Sequence, residues 1–263
     1  WQNEVARQFG SRIQPIVTRG NRVVHTCDNT PVRERKYLVA DEFDDLFALL
    51  DCVVEVAAQE APRLLKTFQR DRAMFYTYYA FGLRLGEGHG LNVHSFSPNP
   101  DLPELGRFGC VGVLGKGCRG SGKRFRLVAT LQADIGPLLT WYVDEIRPKF
   151  LRNAPAGETA MWLSEQGKRL CRASISLRYK TLLDACGQNI ALFAPHGLRH
   201  MYVSHQACAN VPTLFTSRSA GHSNPAVTAR YTHLPDDYQR TVAFNVVRAS
   251  LAAAKPSKGR DDE

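Results

Sequence analysis

The stretch APHGLRHMYVSHQACA, residues 194–209, opens with a helix-breaking proline and then sets two histidines and an arginine within five positions. Proline is tolerated in the first turn of a helix, so the stretch predicts a helix over Pro195–Ala209. At 100° per residue one stripe of this helix holds Leu198, Met201, His205 and Cys208, and the opposite side holds His196, Arg199, His200 and Val203. The pattern predicts that one face packs and the other presents cations.

The composition of the whole chain favours a globular protein with an anionic partner. The 263 residues are 44% hydrophobic and 22% charged, and 34 Lys and Arg against 25 Asp and Glu leave a net charge of +9. Such a balance suits nucleic acid or an anionic membrane surface. The seven cysteines are spread singly with no CxxC pair, so neither a zinc ribbon nor a disulfide framework is indicated, and a reducing compartment fits best. No membrane span or leader is visible, so we expect a cytoplasmic protein.

Hydrophobic periodicity divides the chain into helices and one hairpin. It predicts a helix from Asp41 and a second over about Asp71–Leu85, followed by a loop with three prolines. The segment CVGVLGKGCRGSGKRFRLVAT, residues 110–130, predicts two short strands around a Gly-rich basic tip. Further helices are predicted over Ile135–Ile146, Ser174–Ala185, Pro195–Ala209, Pro212–Ser217 and Asp236–Ala253. The fold class is therefore mostly α with a small antiparallel sheet.

Charged and aromatic residues recur at fixed distances around the opening stretch. The segment FGLRLGEG sets Arg84 and Glu87 three residues apart, and SAGHSNPAVTARYTHL places His222 23 residues after Arg199 and Tyr231 nine further on. With Lys116 in the hairpin, the order Arg, Lys, HxxR, His, Tyr over about residues 36–254 resembles the catalytic set of the tyrosine recombinases, the phage integrase family. The resemblance implies the DNA breaking and rejoining fold and a site-specific DNA recombinase that forms a 3′-phosphotyrosyl intermediate.

The chemistry of a phosphodiester explains why these residue types are needed. An anionic phosphate repels nucleophiles, so a site that works without metal or cofactor needs fixed cations at the non-bridging oxygens, and Arg84 and Arg199 are the predicted clamp. The resemblance makes Tyr231 the nucleophile, with His196 as acceptor of its proton and His222 as a hydrogen-bond donor to the phosphate. It also makes Lys116 the general acid, with Lys123 as the alternative. Glu87 is predicted to support Arg84, and His200 to lie behind the site.

The hairpin region is predicted to lie on double-stranded DNA. No acidic residue occurs between Gly106 and Thr130, and the basic residues besides Lys116 are the predicted DNA contacts: Arg107, Arg119, Lys123, Arg124 and Arg126. The remaining histidines His89, His94, His205 and His233 are predicted to be structural. Tyr76, Tyr78 and Tyr79 belong to an aromatic helix and are predicted to be core or interface.

Domain organisation and assembly follow from the same resemblance. Residues 1–35 are predicted to be a linker or the remnant of an upstream DNA-binding domain, 36–254 the catalytic domain, and 255–263 a disordered tail. Recombination implies a homotetramer on two DNA sites and no membrane. The alternatives are a type IB topoisomerase, which shares the chemistry, a non-catalytic DNA-binding relative, and a hydrolase with a metal on His196, His200 and His222. The metalloprotease form of that last motif needs Glu where Gly197 stands.

Overall fold

The computed structural model describes residues 38, 40–116, 122–187 and 195–222, with Lys116 and Lys123 described by their backbone alone. Its helices are α1 Ala40–Glu60, α2 Pro62–Ala80, α3 Leu85–His89, α4 Ile135–Trp141, α5 Arg147–Leu151, α6 Arg172–Ala185, α7 Pro195–Cys208 and α8 Thr213–Ala220. Its strands are β1 Phe96–Ser97, β2 Cys110–Lys116 and β3 Lys123–Ala129. The predicted fold class, mostly helical with a small antiparallel sheet, is confirmed.

Helix α2 lies at the centre of the core and is buried at every position from Ala73 to Ala80. The prediction that Tyr76, Tyr78 and Tyr79 are core is confirmed, since each is at most 7% exposed. The predicted bounds were wrong at both ends. The helix begins at Pro62, because proline suits the first turn, and it ends before Gly82, which adopts a left-handed φ of 56°.

The sheet has the order β1-β2-β3, and both neighbouring pairs are antiparallel. The predicted hairpin is confirmed, with β2 and β3 paired from Cys110 and Ala129 to Lys116 and Lys123. Val111, Val113 and Val128 are buried and attach the hairpin to the core. Strand β1 and a 3₁₀ turn over Pro103–Phe108 occur where the sequence predicted only a loop.

The other predicted helices are present with shifted ends. Helix α1 begins one residue before the predicted start, and the helix predicted over Ile135–Ile146 continues through a π-helical turn into α5. Helix α6 begins two residues before the predicted Ser174–Ala185, and α8 begins one residue after and ends three residues beyond the predicted Pro212–Ser217. The predicted helix Asp236–Ala253, the linker 1–35 and the tail 255–263 lie outside the described residues. None of the described helices is long and apolar enough to cross a membrane.

Helix α7, the predicted helix of the opening stretch, is more deeply buried than its pattern suggested. Leu198 and Met201 are fully buried, as expected, but Arg199 is 1% exposed and Val203 is buried as well. The prediction that Arg199 lies on a presented cationic face is therefore wrong. His196 is exposed and His200 half-buried near the start of α7, and Cys208, which was predicted on the packing face, is exposed at its end. The helix therefore presents side chains at its two ends.

Candidate active site

Arg84, Arg199 and His222 meet where three helices end or begin. Arg84 immediately precedes α3, Arg199 lies in the second turn of α7, and His222 follows α8. The Nη2 group of Arg84 donates to the Gly221 carbonyl at 2.9 Å, which places this guanidinium beside the residue that precedes His222. Arg199 donates through Nη1 to the Gly82 carbonyl at 2.6 Å and through Nη2 to the Ala220 carbonyl. Residues far apart in sequence thus converge on one cluster.

Three arginines cap the C-terminal end of α8. The carbonyls of Ser217 and Ser219 to Gly221 would otherwise lack partners at a helix end. The amide of His222 bonds Ser217, whereas Ser219, Ala220 and Gly221 accept from Arg126, Arg199 and Arg84 respectively. Carbonyls at a helix C-terminus carry partial negative charge, so the guanidinium groups are held there by charge as well as by hydrogen bonds.

Two glycines allow this convergence. Gly221 adopts a left-handed φ of 64° and ends α8, which turns its carbonyl toward Arg84. At Gly82 a Cβ atom would lie 2.4 Å from Cδ1 of Tyr202, a distance that side chains do not tolerate. The main chain before Arg84 therefore packs directly on the ring of Tyr202, and the Gly82 carbonyl is within reach of Arg199.

Glu87 is the acidic centre of the cluster. Its side chain is 3% exposed, and it accepts from the backbone amide and the guanidinium of Arg84 at 2.8 and 2.9 Å. This contact agrees with the prediction that Glu87 supports Arg84. Arg126 adds a bidentate pair at 2.6 and 2.8 Å. Burial alone would raise the pKa of Glu87, but the bonds and charges of Arg126 and Arg84 outweigh it and lower the pKa to about 2.

The two histidines of the cluster are held in their neutral forms at pH 7. Loss of hydration, and then the positive charges of Arg199, Arg84 and Arg126, lower the pKa of His222 to about 4. The pKa of His196 is lowered from its ordinary value by the protein atoms packed against the ring and by Arg199 and Arg84. A neutral imidazole can accept a proton through one ring nitrogen and donate a hydrogen bond through the other.

Every tyrosine of the described residues is buried and has a raised pKa. Burial is the largest cause in each case, and no side chain is more than 7% exposed. The set consists of Tyr76, Tyr78, Tyr79, Tyr142, Tyr179 and Tyr202. None of these six phenols is placed to act as a nucleophile on a macromolecule. The remaining tyrosines are Tyr37, Tyr231 and Tyr238.

Comparison with known proteins assigns the family. The model of the phage integrase family matches residues 55–237.

The chain belongs to the phage integrase family.

A similar relative is tyrosine recombinase XerC of Pseudomonas fluorescens strain Pf0-1, which is 31% identical over 194 residues, 73% of this chain and 56% of the relative. Among solved structures, XerH recombinase bound to palindromic difH substrate aligns with a TM-score of 0.57 and 17% identity over 80% of this chain and 53% of that one. XerA recombinase aligns with a TM-score of 0.54 and 21% identity over 87% and 68%. The likeness to these structures shows the fold, and the chain spans about half the length of the curated relatives it matches.

Two of the predicted DNA contacts of this phage integrase family member pair with acidic residues of the protein. Arg126 is turned inward with a side-chain exposure of 14%, because Glu87 and the Ser219 carbonyl take its donors. Arg107 pairs with Asp144 at 2.6 Å on the surface, so a nearby carboxylate already balances its charge. The contacts of Arg126 do not support the prediction that it faces phosphate. Arg107 has a half-exposed side chain, and for it the DNA contact stays a prediction.

The other predicted residues divide between described and undescribed parts of the chain. Arg124 is exposed on β3, as a phosphate contact requires. Lys116 and Lys123 are paired across the ladder at the tip end of the hairpin. Tyr231, Arg119 and His233 lie outside the described residues. His200 lies against His196, with ring centroids 4.6 Å apart in an edge-to-face arrangement.

The metal alternative finds no geometric support within the described residues, where no group of three His, Cys, Asp or Glu side chains is placed to hold an ion. His205 has the structural role that the sequence predicted. Its Nδ1 lies 2.9 Å from the Tyr79 hydroxyl and its Nε2 2.9 Å from the Leu38 carbonyl.

Sequence reasoning missed the three carbonyls of α8 and the cation Arg172. The guanidinium of Arg172, an exposed residue, lies 3.4 Å from where a Cβ atom of Gly86 would stand, next to the helix that follows Arg84. Backbone acceptors leave no trace in a sequence. The single available signal was Gly221 directly after a predicted helix, which is typical of a helix C-terminus.

Proposed function

We propose that the protein is a site-specific DNA recombinase that cleaves and rejoins double-stranded DNA through a 3′-phosphotyrosyl bond to Tyr231. The observation that carries the proposal is the cluster of Arg84, Arg199, His196 and His222. It sets two fixed cations beside two neutral imidazoles, which is what phosphoryl transfer without a metal needs. The XerC relatives and the family match support the same reaction.

The cations would act on the charge of the phosphate. Arg84 is 34% exposed and can meet a phosphate oxygen, while Arg199 contributes its charge from a buried position where water screens it little. Both are held by main-chain carbonyls before any DNA arrives. Such preorganisation lowers the cost of meeting the charge that builds on the phosphorus in the transition state.

The proton transfers follow from the neutral histidines. The Tyr231 oxygen would attack phosphorus and form the new P–O bond, while its proton moves to His196, whose lowered pKa keeps it unprotonated. The bond to the 5′ oxygen breaks, and Lys116 would supply the proton to that leaving group. His222 would donate a hydrogen bond to a non-bridging oxygen. The burial of all six described tyrosines supports a nucleophile from the remaining three.

We infer the domain and assembly from the same reaction. The catalytic domain would cover residues 36–254, which contain the family match and the cluster. Exchange of strands between two duplexes requires four cleavages, so we propose a homotetramer on two DNA sites. Exposed Arg124 and Arg172 extend the positive charge of the cluster and would follow the DNA backbone.

A nicked suicide duplex tests the proposed reaction. The short fragment beyond the nick diffuses away after cleavage, which traps the covalent intermediate as a protein–DNA band on a denaturing gel. We expect the band in EDTA and without ATP, and we expect Tyr231→Phe to abolish it. Tyr238→Phe is the matched control and should keep it. A band that needs divalent metal, or that persists in Tyr231→Phe, contradicts the proposal.

A further inference from the structure

We propose that Arg126 is a positioning residue that balances the charge of Glu87, so that the charge of Arg84 stays available to the scissile phosphate. The inference rests on the proposed function. It gives Arg126 a role within the protein, in place of the DNA contact predicted from its basic hairpin.

Arg84 and Arg126 both donate hydrogen bonds to the carboxylate of Glu87. Its Oε1 accepts from Nη1 of Arg84 at 2.9 Å and from Nη1 of Arg126 at 2.6 Å. Its Oε2 accepts from the Arg84 amide at 2.8 Å and from Nη2 of Arg126 at 2.8 Å. Arg84 therefore offers one guanidinium nitrogen to the carboxylate, whereas Arg126 binds it with two. Arg126 is the main cationic partner of Glu87.

The charges of the three side chains explain why this matters. Arg84 and Glu87 alone would sum to zero, and a carboxylate that is 3% exposed has little water to screen it. With Arg126 the group carries one net positive charge. A buried carboxylate left with one cation would draw that cation more strongly and offset its attraction for a phosphate.

The guanidinium of Arg126 packs closely against two glycines, where a side chain would crowd it. A Cβ atom at Gly115 would lie 3.0 Å from Nη1 of Arg126 and 3.1 Å from Oε1 of Glu87. At Gly221 a Cβ atom would lie 3.1 Å from Nε, Cζ and Nη1 of the same arginine. Its Nε donates to the Ser219 carbonyl at 2.9 Å. Arg126 thus joins β3 to α3 and to the end of α8.

Arg124 provides a matched control on the same strand. It is two residues from Arg126, so its side chain leaves β3 on the same face, but it is exposed near the hairpin tip. A phosphate contact and a positioning residue differ in what their loss changes. Removing a phosphate contact lowers the slope of log binding constant against log salt by about one unit, whereas removing a positioning residue slows cleavage of bound DNA.

The test compares Arg126→Gln, Arg124→Gln and the double variant Glu87→Gln with Arg126→Gln in the full chain. Single-turnover cleavage of the suicide duplex is measured at saturating DNA, and DNA affinity is measured over a range of salt. We expect Arg126→Gln to cleave about 10- to 100-fold more slowly, with the salt slope of the wild type. Arg124→Gln should lower the slope and keep the cleavage rate at saturation.

The double variant separates charge balance from a merely structural role. The double variant lacks the Glu87 carboxylate that would offset the positive charge of Arg84. We therefore expect it to cleave at least about fivefold faster than Arg126→Gln. A double variant as slow as Arg126→Gln, or a reduced salt slope in Arg126→Gln, overturns the inference. If Arg126→Gln does not fold, the double variant is compared with the wild type, and a rate within about twentyfold supports charge balance, while a larger loss contradicts it. A wild type without adduct overturns the proposed function instead, and the salt slopes still decide whether Arg126 faces DNA.

Discussion

At the scale of single residues, His222 makes stability depend on pH. Its pKa is about 4 in the folded protein, below the ordinary 6.5, because of lost hydration and three arginines. Between these values the unfolded chain binds more protons, so this contribution to stability is complete above pH 6.5 and is lost as pH falls toward 4. We expect urea denaturation of the wild type to show that loss and His222→Gln to show less of it. Identical pH dependence in both proteins would contradict the burial of a neutral His222.

Gly82 offers a second prediction at this scale. Gly82→Ala would strain a left-handed φ of 56° and set a methyl group 2.4 Å from the Tyr202 ring. We expect a loss of about 2–5 kcal/mol in unfolding free energy, the sum of backbone strain and overpacking. Gly157→Ala is the control, because its φ of 77° is also left-handed but no atom lies within 4 Å. It should lose about 1–2 kcal/mol, from strain alone. Equal losses in chemical denaturation would show that the ring contact is unimportant.

The residues of the cluster could be predicted because types and spacings repeat a known order, but their surroundings could not. Arg126 binds a glutamate 39 residues away and Arg107 an aspartate 37 residues away, and neither separation leaves a local pattern. The alternation of apolar and basic residues on β3 even predicts the opposite orientation, with the apolar side chains toward the core and Arg126 toward solvent. Phe125 and Leu127 are 68% and 58% exposed, while Arg126 faces inward.

At the scale of elements, the hairpin was predictable and the ends of α2 were not. A Gly-rich basic turn between two short apolar runs is typical of a β-hairpin, and β2 and β3 form the predicted antiparallel pair. The start of α2 at Pro62 was missed because only Ala61 separates it from α1 and because the polar run 69–72 interrupts the apolar spacing of its first turns. Strand β1 has two residues, which is too short for periodicity to indicate.

The hairpin also carries a prediction about acid catalysis. Lys116 and Lys123 are cross-strand partners at the end of the ladder. We expect Lys116→Ala to slow cleavage of the suicide duplex while DNA affinity stays near that of the wild type, because the 5′ oxygen then lacks its proton donor. Lys123→Ala, the control, should weaken binding and flatten its salt dependence by about one unit. An unchanged cleavage rate in Lys116→Ala would move the acid role to Lys123.

At the scale of the whole molecule, the segment after Tyr231 bears on assembly. Residues 236–263 lie outside the described part and contain the predicted helix Asp236–Ala253, whose apolar residues suit a contact with a neighbouring subunit. We expect deletion of 236–263 to leave a folded protein that binds one DNA site but forms fewer complexes with two sites. Sedimentation on DNA with two sites measures this. Wild-type assembly by the truncated protein would contradict docking, and unfolding would indicate that the segment packs on its own domain.

The proposed recombinase would form a covalent bond between Tyr231 and DNA, and peptide mapping of the trapped adduct identifies the bonded residue. The adduct is digested with nuclease and trypsin, and the mass of each tyrosine peptide is determined. Because Arg230 precedes Tyr231 and Arg240 follows it, one tryptic peptide holds both Tyr231 and Tyr238, and fragmentation must assign the bond. We expect a 3′-linked nucleotide on Tyr231. A nucleotide on any other residue, or an adduct without a phosphotyrosyl bond, would contradict it.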